Sequence, residues 1–154
     1  MNSGMVTDQQ HALLSEFHKI GTRVLRKVWY VWTDQCLDKI IFEFEEVSLL
    51  VEAEVEYDTI AVRCIGNDKL SDYSTAAGST DLWNQFIGKT FAWGWITINQ
   101  QNYLDGILLS FDTIMPNILV NVAASSLVVG QFPRHERPIS RHGDAQPSPQ
   151  CLAA

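Results

Sequence analysis

The chain has 154 residues, a net charge of -7 at neutral pH and a mean hydropathy of -0.03. That length fits one domain with a substantial core, and no apolar run reaches the roughly 18 residues of a membrane-spanning helix. The N-terminus MNSGMVTDQQ lacks the basic start and apolar core of a signal peptide, so the sequence predicts a cytoplasmic protein. The negative charge argues against nucleic acid as a partner, and the composition argues against a membrane.

A first amphipathic helix is predicted for residues 8–20. Thr7 and Gln10 have the spacing of a capping box, and apolar side chains then recur at helical spacing. His11 and His18 fall on the opposite side, about 10 Å apart along the axis, which is too far for them to share one zinc ion. The three cysteines are odd in number and lack CxxC spacing, so no metal site and no disulfide framework is predicted.

After this helix the apolar pattern changes to the two-residue period of β-strands. In residues 39–64, KIIFEFEEVSLLVEAEVEYDTIAVRC, one parity is apolar, which predicts three half-buried strands joined by turns at 45–46 and 57–58. The first turn places Phe42 opposite Leu49. By the same geometry, the second turn places Ala53 opposite Val62 and Glu52 opposite Arg63.

The negative charge is concentrated in this part of the sequence. Residues 34–58 hold nine acidic side chains against a single lysine. Strand alternation gathers four of these acids on the solvent face of the predicted sheet, with Arg63 as a counter-charge: Glu43, Glu52, Glu54 and Glu56. One interpretation is a solvated face that keeps the protein soluble, and the other is a docking surface for a basic protein partner.

The second half of the chain combines a loop, a short helix and further strands. Residues 66–80 have loop composition, and DLWNQFI at 81–87 predicts a short helix that Gly88 ends. Three more strands are predicted at 90–98, 106–111 and 118–124. Residues 1–132 are therefore predicted to form a single globular domain. Residues 133–154 hold four of the five prolines together with Arg134, Arg137 and Arg141, which predicts a flexible tail.

The predicted fold class is α+β, with the N-terminal helix packed on an antiparallel meander sheet of about six to seven strands. The strands after Gly88 either extend that sheet, which then curls toward a half-barrel, or form a second layer. Periodicity is compatible with both arrangements.

The stretch WGWITINQQNYLDG, residues 93–106, is a candidate small-ligand site. In the structural interpretation, the two tryptophans are core or half-core, Gly94 has no side chain because something packs closely against it, the four amides form a turn, and Asp105-Gly106 forms a bulge or closes the turn. In the functional interpretation, aromatic walls and convergent polar groups hold a ligand, and the site residues are Trp93, Trp95, Asn99, Gln101, Tyr103 and Asp105.

The same region also carries a family resemblance. The matching residues are Trp83, Ile87-Gly88-Lys89, Trp93-Gly94-Trp95, Asn99-Gln100-Gln101, Tyr103, Asp105-Gly106 and Leu109-Ser110-Phe111-Asp112. Over about residues 80–130 the chain resembles a family of small bacterial proteins known as a domain of unknown function. The resemblance implies a bacterial cytosolic protein and brings no activity with it.

No catalytic motif accompanies these features. The sequence contains no HExxH, GxSxG, GxGxxG or P-loop motif, and no cysteine lies beside a histidine, so catalytic residues and cofactors are predicted to be absent. The leading hypothesis is a non-catalytic protein-binding module that uses the acidic sheet face, similar by class to bacterial immunity proteins. The alternatives are a small-ligand-binding protein that uses residues 93–105 and a self-associating structural protein.

Overall fold

The computed structural model describes residues 3–78 and 80–133, which form an α+β arrangement of two α-helices, a short 3-10 helix and nine β-strands. Their order along the chain is α1 Ser3–Ile20, β1 Lys27–Thr33, β2 Cys36–Glu43, β3 Val47–Glu54, β4 Thr59–Gly66, the 3-10 helix Asn67–Asp72, β5 Ala76–Ala77, α2 Thr80–Trp83, β6 Phe91–Ile98, β7 Leu104–Phe111, β8 Ile118–Ala123 and β9 Ser126–Gln131.

The strands form two antiparallel sheets. Sheet 1 has the order β4-β3-β2-β1-β5, and sheet 2 has the order β6-β7-β8-β9. The prediction of a single sheet of six to seven strands is therefore wrong, and the described strands form the two-layer alternative without closing into a barrel. The layers separate because the chain leaves β4 through the 3-10 helix, adds the short β5 beside β1, and then builds β6 to β9 only on one another.

The strands β5 and β9 were missing from the sequence prediction. Strand β9 follows β8 through a two-residue turn, Ala124-Ser125, whose φ angles are 49° and 63°. Turns of this left-handed type normally contain Asn or Gly, so this one gives no sequence signal. Strand β5 has only two residues, Ala76 and Ala77, which is too short for a periodic pattern.

Helix α1 ends at Ile20 as predicted but begins at Ser3, five residues before the predicted start. Thr7 lies inside the helix, so the predicted capping box is wrong. The apolar spacing located only the part of the helix that packs on the core, where Leu13, Phe17 and Ile20 are buried. A helix can extend beyond the residues that pack, and the spacing carries no information about that extension.

The predicted register is confirmed for the first hairpin and wrong for the second. Phe42 pairs with Leu49 as predicted. Between β3 and β4, however, Glu52 pairs with Ala61 instead of Arg63. The cause is the turn, which contains the four residues 55–58 instead of two and shifts the partner strand by two positions.

One core lies between the two sheets. The inner faces of both sheets and the apolar side of α1 contribute to it. Helix α1 lies between β4 and β6, the edge strands of the two sheets, and its Phe17 ring lies 6.0 Å from the Phe91 ring. On the other side of the core, the buried Trp83 indole donates a hydrogen bond of 2.8 Å to the Tyr30 hydroxyl.

Helix α2 is shorter than the predicted helix at 81–87. It ends at Trp83, and the backbone N–H groups of Phe86 and Ile87 then bond to the Trp83 carbonyl in a turn that leads to Gly88. Gly88 has φ +84°, which explains why glycine is at this position. The predicted tail, apart from Pro133, lies outside the described residues.

Candidate functional site

The four glutamates of the predicted acidic face have different environments. Glu43 is half-buried, and its carboxylate accepts a hydrogen bond of 2.7 Å from the Trp29 indole N–H. Glu54 is exposed and accepts a hydrogen bond of 2.7 Å from the Thr59 hydroxyl. Glu56 is also exposed, but it lies in the turn after β3 and not on the sheet.

Glu52 is the best-paired of the four. Its carboxylate lies 3.1 Å from Lys39 Nζ on one side and 3.2 Å from Arg63 Nε on the other. Arg63 therefore does contact Glu52 as expected, although from a diagonal position. Burial alone would lower the pKa of Lys39, but the carboxylates of Asp38 and Glu52 outweigh it and raise that pKa. The charge of Glu52 is neutralised within the protein.

The outer face of sheet 1 also carries a small apolar cluster. Val31, Ile41 and Leu50 are buried there, beneath Leu70 of the 3-10 helix and the nearby Tyr73. The loop composition of residues 66–80 gave no indication that this segment covers the sheet. The cluster interrupts the predicted acidic face, so the exposed acidic side chains of sheet 1 lie elsewhere.

Four hairpin turns of the described chain lie at one end of the two-sheet structure. Antiparallel strands place the turns after β1 and β3 at the same end of sheet 1, and those after β6 and β8 at the same end of sheet 2. The two sets meet, because Ser125 N donates a hydrogen bond of 3.1 Å to Asp58 Oδ1. We call this region, residues 34–35, 55–58, 99–103 and 124–125 with the strand residues beside them, the loop end.

The loop end carries exposed carboxylates without cationic partners. Asp34, Glu54, Glu56 and Asp58 are exposed, and none of them forms an ion pair within the described chain. The cations of sheet 1 that lie near this end, Lys39 and Arg63, contact Glu52 instead. Strand alternation predicts Glu54 and Glu56 as surface acids but gives no signal for Asp34 and Asp58, because it does not apply to turn residues.

Exposed apolar side chains lie among these acids. Tyr57 is 62% exposed, Val55 is 61% exposed, and Trp32, next to the first turn, is 53% exposed. None of the three is predicted from the sequence as a surface residue. The sequence signal for an exposed site is weak here, because a tryptophan at the end of a strand and an apolar residue in a turn become unusual only when their exposure is known.

The predicted ligand hairpin uses its polar groups within its own turn. Asn99 Oδ1 accepts hydrogen bonds from Gln101 N at 2.9 Å and Tyr103 N at 3.1 Å. Asp105 accepts a hydrogen bond of 2.8 Å from the Thr97 hydroxyl and lies at a bulge, where Thr97 pairs with Gly106 and the next residue pairs with Leu104. The turn and the bulge of the structural interpretation are thus confirmed. Its placement of the tryptophans in the core or half-core holds for the half-buried Trp95 and is wrong for Trp93, which is exposed.

The two tryptophans of this stretch share the outer face of sheet 2. Trp93 pairs with Ser110 and Trp95 with Leu108, and Trp93 is 55% exposed. Gly94 faces the core, where a Cβ atom would lie 2.5 Å from the Phe17 ring, which confirms the expected close approach. The structure thus brings Trp93 and Trp95 together, and it places the amides of the hairpin in the loop end.

A groove runs between α1 and β6. Its volume is about 370 Å³, and it is lined by Leu14, Phe17, His18, Gly21 and residues 91–95. Most of these side chains are apolar. The groove lies beside the outer side of β6, where sheet 2 ends.

Chemically reactive groups are not clustered in the described residues. No three His, Cys, Asp or Glu side chains among them are arranged to hold a metal ion. The Cys64 thiol is half-buried, and this burial together with the neighbouring Glu16 carboxylate raises its pKa to about 12, which leaves it protonated at neutral pH. No helix in this part of the chain is both long and apolar enough to span a membrane.

Comparisons with known proteins identify a family but no characterised relative. No curated protein and no solved structure matches the chain. A family model matches residues 9–136, which include most of α1 and both sheets. The chain therefore belongs to the family of unknown function DUF6334.

Proposed function

We propose that this protein binds a partner protein with a basic surface, and that the loop end is the binding surface. The observation that carries the proposal is the group of four exposed carboxylates, without cationic partners in the described chain, around exposed aromatic side chains. In this proposal the protein acts by binding alone, without catalysis and without a cofactor.

The charges support this choice of partner. Asp34, Glu54, Glu56 and Asp58 lie in or beside the turns at one end of sheet 1, and a concentration of like charge is unfavourable unless a partner supplies positive charge. A basic surface would relieve this repulsion and associate faster through electrostatic attraction. Glu43 and Glu52 are left out of the proposed contact because both are half-buried. Glu43 accepts a hydrogen bond from the Trp29 indole, and Glu52 is paired with Lys39 and Arg63.

The exposed aromatic residues supply the apolar part of such a contact. Interfaces commonly combine a few buried aromatic anchors with a polar rim, and tryptophan and tyrosine are enriched among the anchors. Trp32 and Tyr57 are more than half exposed and border the acidic turns. A partner that covers Trp32 and Tyr57 would bury apolar surface next to the ion pairs of the interface. Removing water from that area strengthens the attraction between opposite charges.

Bacterial immunity proteins are the class that this description fits. They are small acidic cytoplasmic proteins that neutralise a toxin by covering its basic active surface. The likeness rests on size, charge and the proposed mode of binding. A bacterial source and a cytoplasmic location are part of the proposal.

A matched pair of charge-reversal variants tests the proposal. The first is the double variant Glu54→Lys, Glu56→Lys at the loop end. The control is Asp68→Lys, Asp72→Lys in the 3-10 helix, where both acids are exposed and the change in net charge is identical. Each protein is immobilised and used to capture partners from a lysate of the source organism, and the captured proteins are identified by mass spectrometry.

We expect a basic protein to be retained by the wild type and the control and lost by the loop-end variant. With that partner purified, the association rate should fall as salt is raised, because long-range attraction between charges is screened. Equal capture by all three proteins would contradict the proposal, as would an association rate that does not depend on salt.

The small-ligand alternative has less support from the geometry. Asn99 and Asp105 are engaged in the turn and the bulge, and two tryptophans on a sheet do not specify a small molecule. It stays a prediction that tryptophan fluorescence against a panel of metabolites and sugars would test.

A further inference from the structure

Strand β6 has a free edge. On one side it pairs with β7 along its whole length. On the other side its pairing stops at its first residues, where Phe91 exchanges backbone hydrogen bonds with Thr22 and Arg23 and Thr90 forms a bridge with Val24. From residue 92 to residue 98 no backbone group of the described chain pairs with that side.

The edge of sheet 1 next to α1 is treated differently. There the Glu16 carboxylate of α1 accepts a hydrogen bond of 2.6 Å from the Cys64 backbone N–H of edge strand β4, and the Cys64 thiol donates to the Glu16 carbonyl. The start of β9, the other edge of sheet 2, is held by the Ser126 hydroxyl, which accepts a hydrogen bond of 3.0 Å from Leu37 N of β2.

Strand β6 also lacks the usual protection of an exposed edge. Natural edge strands commonly carry lysine, other charges or proline, or are very short. Strand β6 has eight residues, and the stretch 90–99, TFAWGWITIN, contains no charged residue and no proline. Its two bulges lie near its ends, so the segment from Trp93 to Thr97 pairs regularly with β7.

The lack of charge bears on which partner this edge can take. The chain carries a net charge of -7, so two copies repel each other when acidic surfaces meet. The β6 edge itself carries no charged side chain that would add to this repulsion. The exposed acids of the loop end, Asp34, Glu54, Glu56 and Asp58, lie on β3 or in the turns of sheet 1, away from the β6 edge.

We propose that β6 pairs antiparallel with β6 of a second copy, so that sheet 2 continues across a twofold symmetric dimer. The pairing satisfies the free backbone groups of both copies, and a strand edge is complementary to itself in the antiparallel direction. Trp93 and Trp95 lie on one face of the strand, so each meets the partner's side chains across the new strand pair. The groove between α1 and β6 lies beside this edge.

This inference does not rest on the proposed function, because it concerns the opposite sheet. Its test is sedimentation equilibrium of the full chain over a range of concentrations, with two variants. Trp93→Lys places a lysine on the β6 edge at an exposed side chain. Val128→Lys is the control, because Val128 is also an exposed apolar side chain, 46% exposed, on the other edge strand of the same sheet.

We expect the wild type and Val128→Lys to form a dimer as concentration rises. Trp93→Lys should raise the dimer dissociation constant about 30-fold, the loss typical of an aromatic interface anchor. The two variants have the same net charge, and each lowers the overall repulsion between copies, so a loss in Trp93→Lys alone is specific to β6. A protein that is monomeric at all concentrations, or one in which both variants behave alike, overturns the proposal.

Hydrogen exchange locates the contact. In a β6-mediated dimer, the backbone amides in residues 92–98 become protected as concentration rises, and those of β9 do not change. Protection of another segment, or protection of β6 only when a different protein is added, would also overturn the proposal, since the edge would then serve another partner.

Discussion

The two ends of the molecule use acidic side chains in different ways. At the end opposite the loop end, which we call the base end, Glu45 forms an ion pair with Arg26, and Glu46 lies 3.9 Å from Arg23. At the loop end, Asp34, Glu54, Glu56 and Asp58 have no ion pair in the described chain. Paired charges cost folding little, whereas a group of like charges is destabilising. The fold thus pairs acidic side chains with arginines at the base end, and it leaves the exposed acidic side chains of the loop end without cationic partners.

The greatest loss of stability is expected from removing Phe17, a buried side chain of α1. Phe17→Ala removes the ring that fills the space at Gly94 and contacts Phe91, so it should lower the free energy of unfolding by about 3–5 kcal/mol. Tyr57→Ala at the loop end is the control, and it should change stability by less than about 0.5 kcal/mol because Tyr57 is exposed. Urea denaturation measures both. Similar losses would show that the loop end is also structural.

A smaller effect is expected at Glu16, which ties α1 to β4. Burial would raise the pKa of Glu16, but hydrogen bonds from Lys19 and Cys64 N outweigh it and hold the pKa below its ordinary value of 4.5. A lowered pKa means that the carboxylate stabilises the fold above pH 4.5, and that this stability is lost as the pH falls through the folded-state pKa. Glu16→Gln should cost about 1.5–3 kcal/mol at pH 7, the range for a hydrogen bond to a charged group.

Denaturation curves between pH 7 and pH 3 measure this difference. The wild type and Glu16→Gln should converge as the pH falls, because protonation removes the same charge. A gap that stays constant with pH would mean that the Glu16 side chain acts through packing alone.

A gain in stability is expected at the loop end. Ala124 has φ 49°, a left-handed conformation that is strained for alanine and accessible to asparagine. Ala124→Asn should therefore raise the free energy of unfolding by about 1 kcal/mol, measured by thermal denaturation. A loss of stability would mean that the turn does not accommodate the added carboxamide group.

The smallest effect is expected for the charge reversals themselves. The double variant Glu54→Lys, Glu56→Lys should change the free energy of unfolding by less than about 0.5 kcal/mol, or raise it slightly, because it relieves repulsion at an exposed site. The variant Glu45→Lys at the base end should instead lose up to about 1 kcal/mol, since it replaces an ion pair with a repulsion from Arg26. A larger loss of stability in the loop-end variant than in Glu45→Lys would contradict the expected difference between the two ends of the molecule.

The candidate sites show how far alternation along a strand predicts a surface. It correctly placed Glu43, Glu52 and Glu54 on the outer face of sheet 1, because successive side chains of a strand point to opposite faces. Alternation alone did not single out the pair of Glu52 and Lys39, although the confirmed register of the first hairpin places these two residues opposite each other. Alternation also placed Glu56 on this face, and this placement is wrong because the turn after β3 is longer than predicted and contains Glu56.

The features that could be predicted from the sequence are those that depend on neighbouring residues. These are the end of α1, most of the strands, the first hairpin register, the bulge at Asp105 and the close packing at Gly94. Each of these follows from periodicity, from turn chemistry or from the size of a single residue, so a short stretch of sequence contains the information.

The division of the strands into two layers and the contacts between turns depend on tertiary packing and could not be predicted from the sequence. The division into two sheets, the burial of Ile41 and Leu50 under the 3-10 helix, and the contact between Asp58 and Ser125 join residues far apart in sequence. Such contacts depend on the packing of whole elements, which a local pattern does not specify. The same packing gathers the exposed acids at one end and leaves the edge of β6 uncovered.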